Sequence, residues 1–128
     1  MIIDSALRQE PCDTKAAKLS RRFHFSDVIT AIALQEGIAH NNLLSSTTQS
    51  NIVLARGRLY YIGHYSLGLS NGILARLSKK KQSYQILLPF KRYQQIADRP
   101  AEILIRKNIE TIAELIYKKE LRVREVYQ

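Results

Sequence analysis

Acidic residues are missing from the middle of this chain, where no Asp or Glu occurs between Gly37 and Ala97. The whole chain has 20 Lys and Arg against 11 Asp and Glu, so most of its formal charge of +9 lies in this segment. A region of one charge sign repels itself unless an anion is close, and it therefore predicts a polyanion-binding surface. Duplex DNA, RNA and an anionic membrane surface would all fit the charge. The basic residues of the segment are Arg56, Arg58, Arg76, Lys79, Lys80, Lys81, Lys91 and Arg92.

Cysteine is almost absent as well, since Cys12 is the only one in the chain. A single thiol excludes an internal disulfide and a cysteine-rich zinc site, and it favours a reducing, cytoplasmic location. A DNA-binding protein in that location would be associated with the nucleoid if the source is bacterial. No apolar run approaches the roughly 20 residues that a membrane helix needs. Asp4 follows Met1 closely without an apolar stretch, which is not the pattern of a signal peptide. We therefore expect no membrane partner.

Residue patterns that catalyse reactions or bind metals are also missing. The three histidines have neither the His-x-His nor the H-x3-H spacing of a metal site, and Asp27 and Glu36 stand too far apart for an acid–base pair. There is no G-x-S-x-G elbow and no phosphate-binding G-x4-G-K-[ST] loop. We expect no catalytic residue, no metal and no cofactor, and hence no enzyme, with a small nuclease as the remaining alternative of that class.

Length and hydrophobic periodicity predict one small all-α domain. The chain has 128 residues, which is enough for a single core. We place an N-terminal arm at residues 1–24, with a short helical turn at 16–19, a helix-turn-helix core at 25–97, and a C-terminal helix and tail at 98–128. In the tail, residues 121–127 alternate between apolar and polar, which fits either frayed helix or a short strand.

Two helices are expected in the first half of the core. Ser26 is a candidate N-cap and Gly37 a left-handed C-cap for the first helix. A second helix is expected from about Ile52 to Ser66. Residues 39–51 between them are polar and indicate a loop.

Three more helices are expected further along the chain. Ser70 can cap a short helix that ends near Leu77, and the next helix starts near Gln82 and contains Pro89, which shortens or kinks it. Pro100 suits the first turn of the last helix, which packs on the core or on a second copy of the chain. An apolar stripe on this last helix consists of Ile105, Ile109, Ile112 and Ile116.

The segment from Ser70 to Arg92 has the pattern of a helix-turn-helix: a short capped helix, a tight basic turn and a helix with a polar face. In that motif the second helix enters the major groove, where lysine can donate to guanine and glutamine can form two hydrogen bonds with adenine. A solvated lysine-rich turn between two core helices is the alternative. The expected base-reading residues are Lys81, Gln82, Ser83 and Gln85, and the expected phosphate-binding residues are Arg56, Arg58, Arg76, Lys79, Lys80, Lys91 and Arg92.

Short motifs along the same stretch point to a known family. They are Ile32-Ala33, Gly37-Ile38 and Leu43-Leu44-Ser45 around the exit of the first helix, Leu54-Ala55-Arg56-Gly57-Arg58 at the opening of the second, Leu67-Gly68-Leu69-Ser70 followed by Ile73 to Leu77, and Ile86-Leu87. With these motifs, residues 28–96 resemble the C-terminal DNA-binding domain of the bacterial replication initiator DnaA, which is also found as a tail on some single-strand transposases. The resemblance implies an all-helical fold that binds duplex DNA through its helix-turn-helix.

Two departures from that family affect the expected DNA contacts. The family's recognition signature is close to G-G-R-D-H-T-T-V, whereas residues 79–86 of this chain are K-K-K-Q-S-Y-Q-I. Lys81 takes the arginine position, so polarity is kept but a different target sequence is expected. The family's arginine-rich loop before the second helix corresponds to the uncharged residues 46–50, so its minor-groove contact is expected to be lost or reduced to hydrogen bonds with phosphates.

Together these features predict a small basic protein that binds duplex DNA in replication, mobile-element or transcription control. The alternative is a protein-interaction module on the same fold that has lost sequence-specific DNA binding. Such a module would dock through Leu87, Phe90 and the face from Ile105 to Ile116. The C-terminal helix is also the expected site of a protein partner or a homodimer contact.

Overall fold

The structure of the protein is a computed structural model that describes residues 22–45 and 47–119. These two ranges contain six helices and no strand, which confirms the all-α prediction. The helical turn expected at residues 16–19 and the tail at 121–127 lie outside the described residues. The helices are α1 (Phe25–Glu36), α2 (His40–Leu43), α3 (Ser50–Tyr65), α4 (Asn71–Leu77), α5 (Tyr84–Gln94) and α6 (Pro100–Tyr117).

Local sequence sets both ends of α1. The Asp27 carboxylate closes the first turn by accepting a 2.8 Å hydrogen bond from the backbone N–H of His24. The predicted cap Ser26 lies inside the helix, so that prediction was wrong. Gly37 has φ 67°, a left-handed conformation that glycine adopts without strain, and it ends the helix as predicted.

The polar segment after α1 contains more regular structure than its composition indicates. His40–Leu43 forms the single turn α2, and the fully buried side chain of Leu43 anchors this turn to the core. Helix α3 then begins at Ser50, slightly before the predicted start. The expected loop is therefore two short connections on either side of one helical turn.

Helix α3 lies at the centre of the fold, where it packs against α1, α2, α4 and α5. Fully buried side chains from all six helices meet in the core; examples are Val28, Leu43, Leu59, Leu74, Ile86 and Ile109. Their removal from water is the main favourable contribution to folding. The central position of α3 means that it can hold the two helices of the predicted DNA-binding motif.

The isoleucine stripe of α6 faces the core. Ile109 is fully buried, and the other three isoleucines of the stripe are partly buried against the core. Helix α6 lies mainly along α1. Of the two arrangements expected for the last helix, the structure therefore has the one in which it packs on the core.

The folded unit begins before residue 25. Phe23, which the sequence placed in the N-terminal arm, is 1% exposed and belongs to the core. Arg22 donates a 2.7 Å hydrogen bond to Glu110 of α6 and lies 3.4 Å from Glu114. Residues 22–24 are therefore part of the helical domain.

Two glycines allow α3 to approach its neighbours closely. A Cβ added at Gly57 would lie 2.8 Å from the Cβ of Tyr93 on α5, and one at Gly63 would lie 2.6 Å from Cδ2 of Leu74 on α4. Both distances are well below the 3.5–4.0 Å at which carbon atoms attract each other. The helices of the predicted motif thus pack on α3 where it has no side chain.

Gly57→Ala should lower the free energy of unfolding by about 1–3 kcal/mol, because the overlap with Tyr93 outweighs the better helix propensity of alanine. Gly72→Ala in α4 is the matched control, since the nearest atom to its new Cβ is 4.0 Å away. The control should be neutral or stabilising by up to about 1 kcal/mol. Urea unfolding followed by circular dichroism measures both, and equal stability of the two variants would contradict the close packing.

Candidate nucleic-acid interface

Helices α4 and α5 pack against each other across a short connection, and we call residues 70–94 the α4–α5 unit. The Ser70 hydroxyl accepts a 3.3 Å hydrogen bond from the Ile73 N–H and caps α4, as predicted. Ile86 is fully buried and fixes α5 to the core. The unit is therefore packed against the rest of the domain, which sets the position of its backbone.

The turn between α4 and α5 is tight and basic. Lys79 has φ 60°, a left-handed conformation that is uncommon for a residue with a Cβ. The backbone N–H of Lys80 donates a 2.7 Å hydrogen bond to Ala75, and that of Lys79 donates a 3.2 Å bond to Arg76. This pair of bonds is a Schellman cap with lysine at the position that glycine usually takes. The cap reverses the chain and brings the start of α5 beside the end of α4.

Helix α5 begins at Tyr84 and not near Gln82, so three of the four predicted base-reading residues precede it. The fourth, Gln85, uses its side-chain oxygen to accept 3.0 Å hydrogen bonds from the backbone N–H groups of Lys81 and Gln82. In this conformation that oxygen is not available for a two-bond contact with adenine, which corrects the role predicted for Gln85. The helix continues past Pro89, so the proline does not end it.

Exposed cations lie at both ends of α5. Lys79 and Lys81 precede the helix, and Lys91 and Arg92 lie in its last turn, with Arg76 at the end of α4. All five side chains are exposed, and within the described residues none of them forms an ion pair with a carboxylate. We call them the five exposed cations. They make the surroundings of α5 uniformly positive.

Arg56 was predicted to contact phosphate, but the structure places it inside the protein. Its side chain is 8% exposed and donates hydrogen bonds of 2.8, 2.7 and 3.3 Å to the backbone oxygens of Leu43, Thr47 and Asn42. These carbonyls lie at the end of α2 and beyond it, and the carbonyl of Asn42 also accepts a 3.2 Å hydrogen bond from the Ser45 N–H. Burial lowers the pKa of the Arg56 guanidinium. Arg56 therefore stabilises the connection between α2 and α3.

Lys80 is also engaged with the protein itself. Its Nζ donates 3.0 Å hydrogen bonds to the carbonyl oxygens of Leu44 and Ser45. Burial and the nearby charge of Arg56 both lower the pKa of this ammonium group. Arg56 and Lys80 thus bind the same stretch of backbone, and Lys80 ties the turn of the α4–α5 unit to the α2–α3 connection.

Arg58 belongs to a buried network and is not available to a phosphate. It donates two 2.9 Å hydrogen bonds to the Glu102 carboxylate on α6 and lies 3.5 Å from Glu36 on α1. The Tyr93 hydroxyl on α5 donates a 2.7 Å hydrogen bond to the same Glu102 carboxylate, and Arg106 donates a 2.9 Å bond to the Tyr93 oxygen. The network therefore joins α1, α3, α5 and α6.

The network also fixes the ionisation of its acidic groups. Hydrogen bonds from Arg58 hold the pKa of the Glu102 carboxyl below its usual value, and burial raises the pKa of the Tyr93 hydroxyl to about 12. The network roles of Glu102, Tyr93 and Arg106 were not predicted from the sequence. One signal was present: Glu102 lies on the apolar stripe that continues with Ile105, and a carboxylate on a buried face needs a buried donor.

The start of α5 also exposes apolar side chains. Tyr84 is 68% exposed, Leu87 37% and Leu88 54%. Phe90, in contrast, is 7% exposed and lies in the core together with Ile109. The docking face expected for the protein-interaction alternative is therefore largely internal, and Leu87 is its most accessible member on α5.

Comparison with known proteins gives no assignment, since no protein-family model, curated protein or solved structure matches the chain. The resemblance to the initiator's DNA-binding domain therefore stays a prediction. Within residues 22–45 and 47–119, no three His, Cys, Asp or Glu side chains are grouped to hold a metal ion. None of the described helices combines the length and apolarity needed to cross a bilayer.

Glu102→Gln should lower the free energy of unfolding at neutral pH by about 3 kcal/mol, because the buried Arg58 charge loses its main partner. Glu114→Gln is the control, since Glu114 pairs with the exposed side chains of Lys118 and Arg22. Glu114→Gln should lower the free energy of unfolding by less than about 1 kcal/mol. Urea unfolding of both variants measures the difference.

The difference in unfolding free energy between the wild type and Glu102→Gln should depend on pH, and the sign of this dependence follows from the pKa of Glu102. The pKa of Glu102 is lowered by folding, so its stabilising effect is complete above the unfolded value of 4.5 and is lost as pH falls through the folded value. The stability gap between the wild type and Glu102→Gln should therefore close as the pH is lowered below 4.5. A gap that stays constant in strong acid would show that the carboxylate charge is not what stabilises the network.

Proposed function

We propose that the protein binds duplex DNA through a helix-turn-helix formed by α4 and α5, and that it acts by binding without catalysing a reaction. The observation that carries the proposal is the group of five exposed cations around α5, which has no carboxylate partner in the described residues. Unpaired cations in an acid-free region attract polyanions and raise their local concentration.

The length of α5 suits the major groove. Its 11 residues span about 16 Å, and the groove of B-form DNA is about 12 Å wide. Lys79 at one end of α5, and Lys91 and Arg92 at the other, can therefore reach the phosphates on the two edges of the groove. Contacts of this kind set the orientation and register of the protein and carry no sequence information.

Hydrogen-bond reading of bases is proposed for the residues that lead into α5. Lys81, Gln82 and Ser83 are all exposed and precede its first turn. Lys81 can donate to the acceptors of guanine, and Gln82 can form two hydrogen bonds with adenine. Gln85 is proposed to position this segment through its bonds to the backbone of Lys81 and Gln82.

A protein-interaction module on the same fold is the second candidate. It is favoured by the exposed apolar side chains Tyr84, Leu87 and Leu88, which an acidic amphipathic helix could cover. The five exposed cations would then pair with carboxylates of the partner. This candidate predicts that nucleic acids bind weakly, so a DNA-binding measurement distinguishes the two.

Fluorescence anisotropy of a labelled random-sequence duplex across a salt series tests the proposed function. A plot of the logarithm of the association constant against the logarithm of the salt concentration should have a slope of about −4 to −5, because about five neutralised phosphates release their counterions. Single-stranded DNA and RNA of the same length are measured alongside and should bind more weakly. A dissociation constant no lower than about millimolar at low salt would rule out the DNA proposal.

Charge reversal at Lys79, Lys81 and Lys91 together should abolish duplex binding, and Lys91→Ala alone should make the salt slope shallower by about 1. Lys107→Glu on α6 is the matched control, because Lys107 is exposed and lies outside the α4–α5 unit. The control should keep most of the affinity. If the triple variant retains its helical spectrum and still binds like the wild type, the interface lies elsewhere.

A further inference from the structure

The apolar group at the start of α5 is the feature that the proposed cationic surface leaves unexplained. Tyr84, Leu87 and Leu88 lie within one helical turn and are 68%, 37% and 54% exposed. Single exposed apolar residues are ordinary, but three neighbours on one turn mark a surface that binds something. Phosphates cannot account for them, because a phosphate offers no apolar contact.

The surroundings of this apolar group define the chemistry of its ligand. Lys81 precedes it, Lys91 follows it on the same helix, and no acidic residue occurs anywhere from Gly37 to Ala97. The surface is thus apolar in the middle and positive at its edges. Its complement has apolar groups in the middle and negative charges on both sides.

A major groove that contains thymine has this composition. The C5 methyl group of thymine projects into the groove and is contacted by apolar side chains, while the phosphates run along both edges. Cytosine and guanine present only polar groups there. The polar side chain closest to the apolar group on the first turn, Gln85, has its oxygen engaged with backbone N–H groups, which leaves apolar contact as the main means of recognition for this face.

We infer that Tyr84 and Leu88 contact thymine methyl groups in the major groove, so that the protein prefers thymine-containing duplex DNA. Leu87 is the least exposed of the three, so the inference rests on Tyr84 and Leu88. The inference rests on the proposed DNA-binding function and adds the base feature that α5 recognises. The face of α5 that carries Tyr84 and Leu88 then recognises bases by shape and apolar contact, whereas Lys81, Gln82 and Ser83 recognise them by hydrogen bonds.

Four labelled duplexes of about 21 base pairs, two helical turns, test the inference. The first alternates A and T, and the second replaces every thymine with deoxyuridine, which removes only the C5 methyl groups. The third alternates G and C, and the fourth carries 5-methylcytosine, which adds a methyl group at the corresponding position. All four have the same charge, so the phosphate contribution cancels in the comparison.

The wild-type protein should bind the thymine duplex more tightly than the deoxyuridine duplex, by about fourfold for each methyl group that becomes buried. The methylated G·C duplex should likewise be bound more tightly than the unmethylated one. Two affinity ratios describe these preferences, thymine over deoxyuridine and methylated over unmethylated G·C. Leu88→Ala and Tyr84→Ala should each reduce both ratios while leaving the salt dependence of binding unchanged. Leu104→Ala on α6 is the matched control, because Leu104 is 59% exposed and lies outside the α4–α5 unit, and it should keep the wild-type ratios.

The remaining outcomes separate the two proposals. Tight binding with equal affinity for the thymine and deoxyuridine duplexes overturns the methyl contact and leaves DNA binding standing. Ratios that persist unchanged in both Leu88→Ala and Tyr84→Ala also overturn it, since the preference then comes from the shape of the DNA. Failure to bind any of the four duplexes at low salt overturns both proposals and assigns the apolar group to a protein partner.

Discussion

The buried pair formed by Arg58 and Glu102 determines where α5 can lie. Glu102 accepts hydrogen bonds from Arg58 on α3 and from Tyr93 on α5, so one carboxylate fixes two helices to the helix that carries it. Charges removed from water are tolerated only when they are paired and fully hydrogen-bonded, so small displacements of any partner are costly. Helix α6 contributes none of the five exposed cations, yet it sets the position of the helix that carries two of them.

A second set of internal bonds positions the turn before α5. Arg56 and Lys80 supply donors to the backbone carbonyls of residues 42–45 and 47, at the end of α2 and in the connection that follows it. The sequence does not distinguish these two cations from those on the surface, because the charge of a residue does not reveal whether its side chain faces the protein or the solvent. Three of the eight basic residues of the acid-free segment thus stabilise the fold, and five remain for a ligand.

Most features with local causes could be predicted from the sequence, the N-cap of α1 being an exception, and features with distant partners could not. The Ser70 cap, the end of α1 at Gly37 and the stripe of α6 depend on neighbours within a few residues, and all were found. The buried role of Arg58 depends on Glu102, 44 positions away, and no local pattern indicates that pairing. For the same reason the cations near α5 were identified as a cluster, while the internal role of Arg56, whose backbone partners lie 9 to 14 positions away, became clear only from the fold.

The lack of acidic residues around α5 has a consequence for the free protein. Without nearby carboxylates the five exposed cations repel one another, and dissolved ions screen this repulsion over a Debye length of about 8 Å at physiological ionic strength. Salt therefore stabilises the free domain, whereas it weakens any complex with a polyanion. A bound polyanion provides the counter-charges that the chain itself does not supply, so folding and ligand binding are linked through the same set of lysines and arginines.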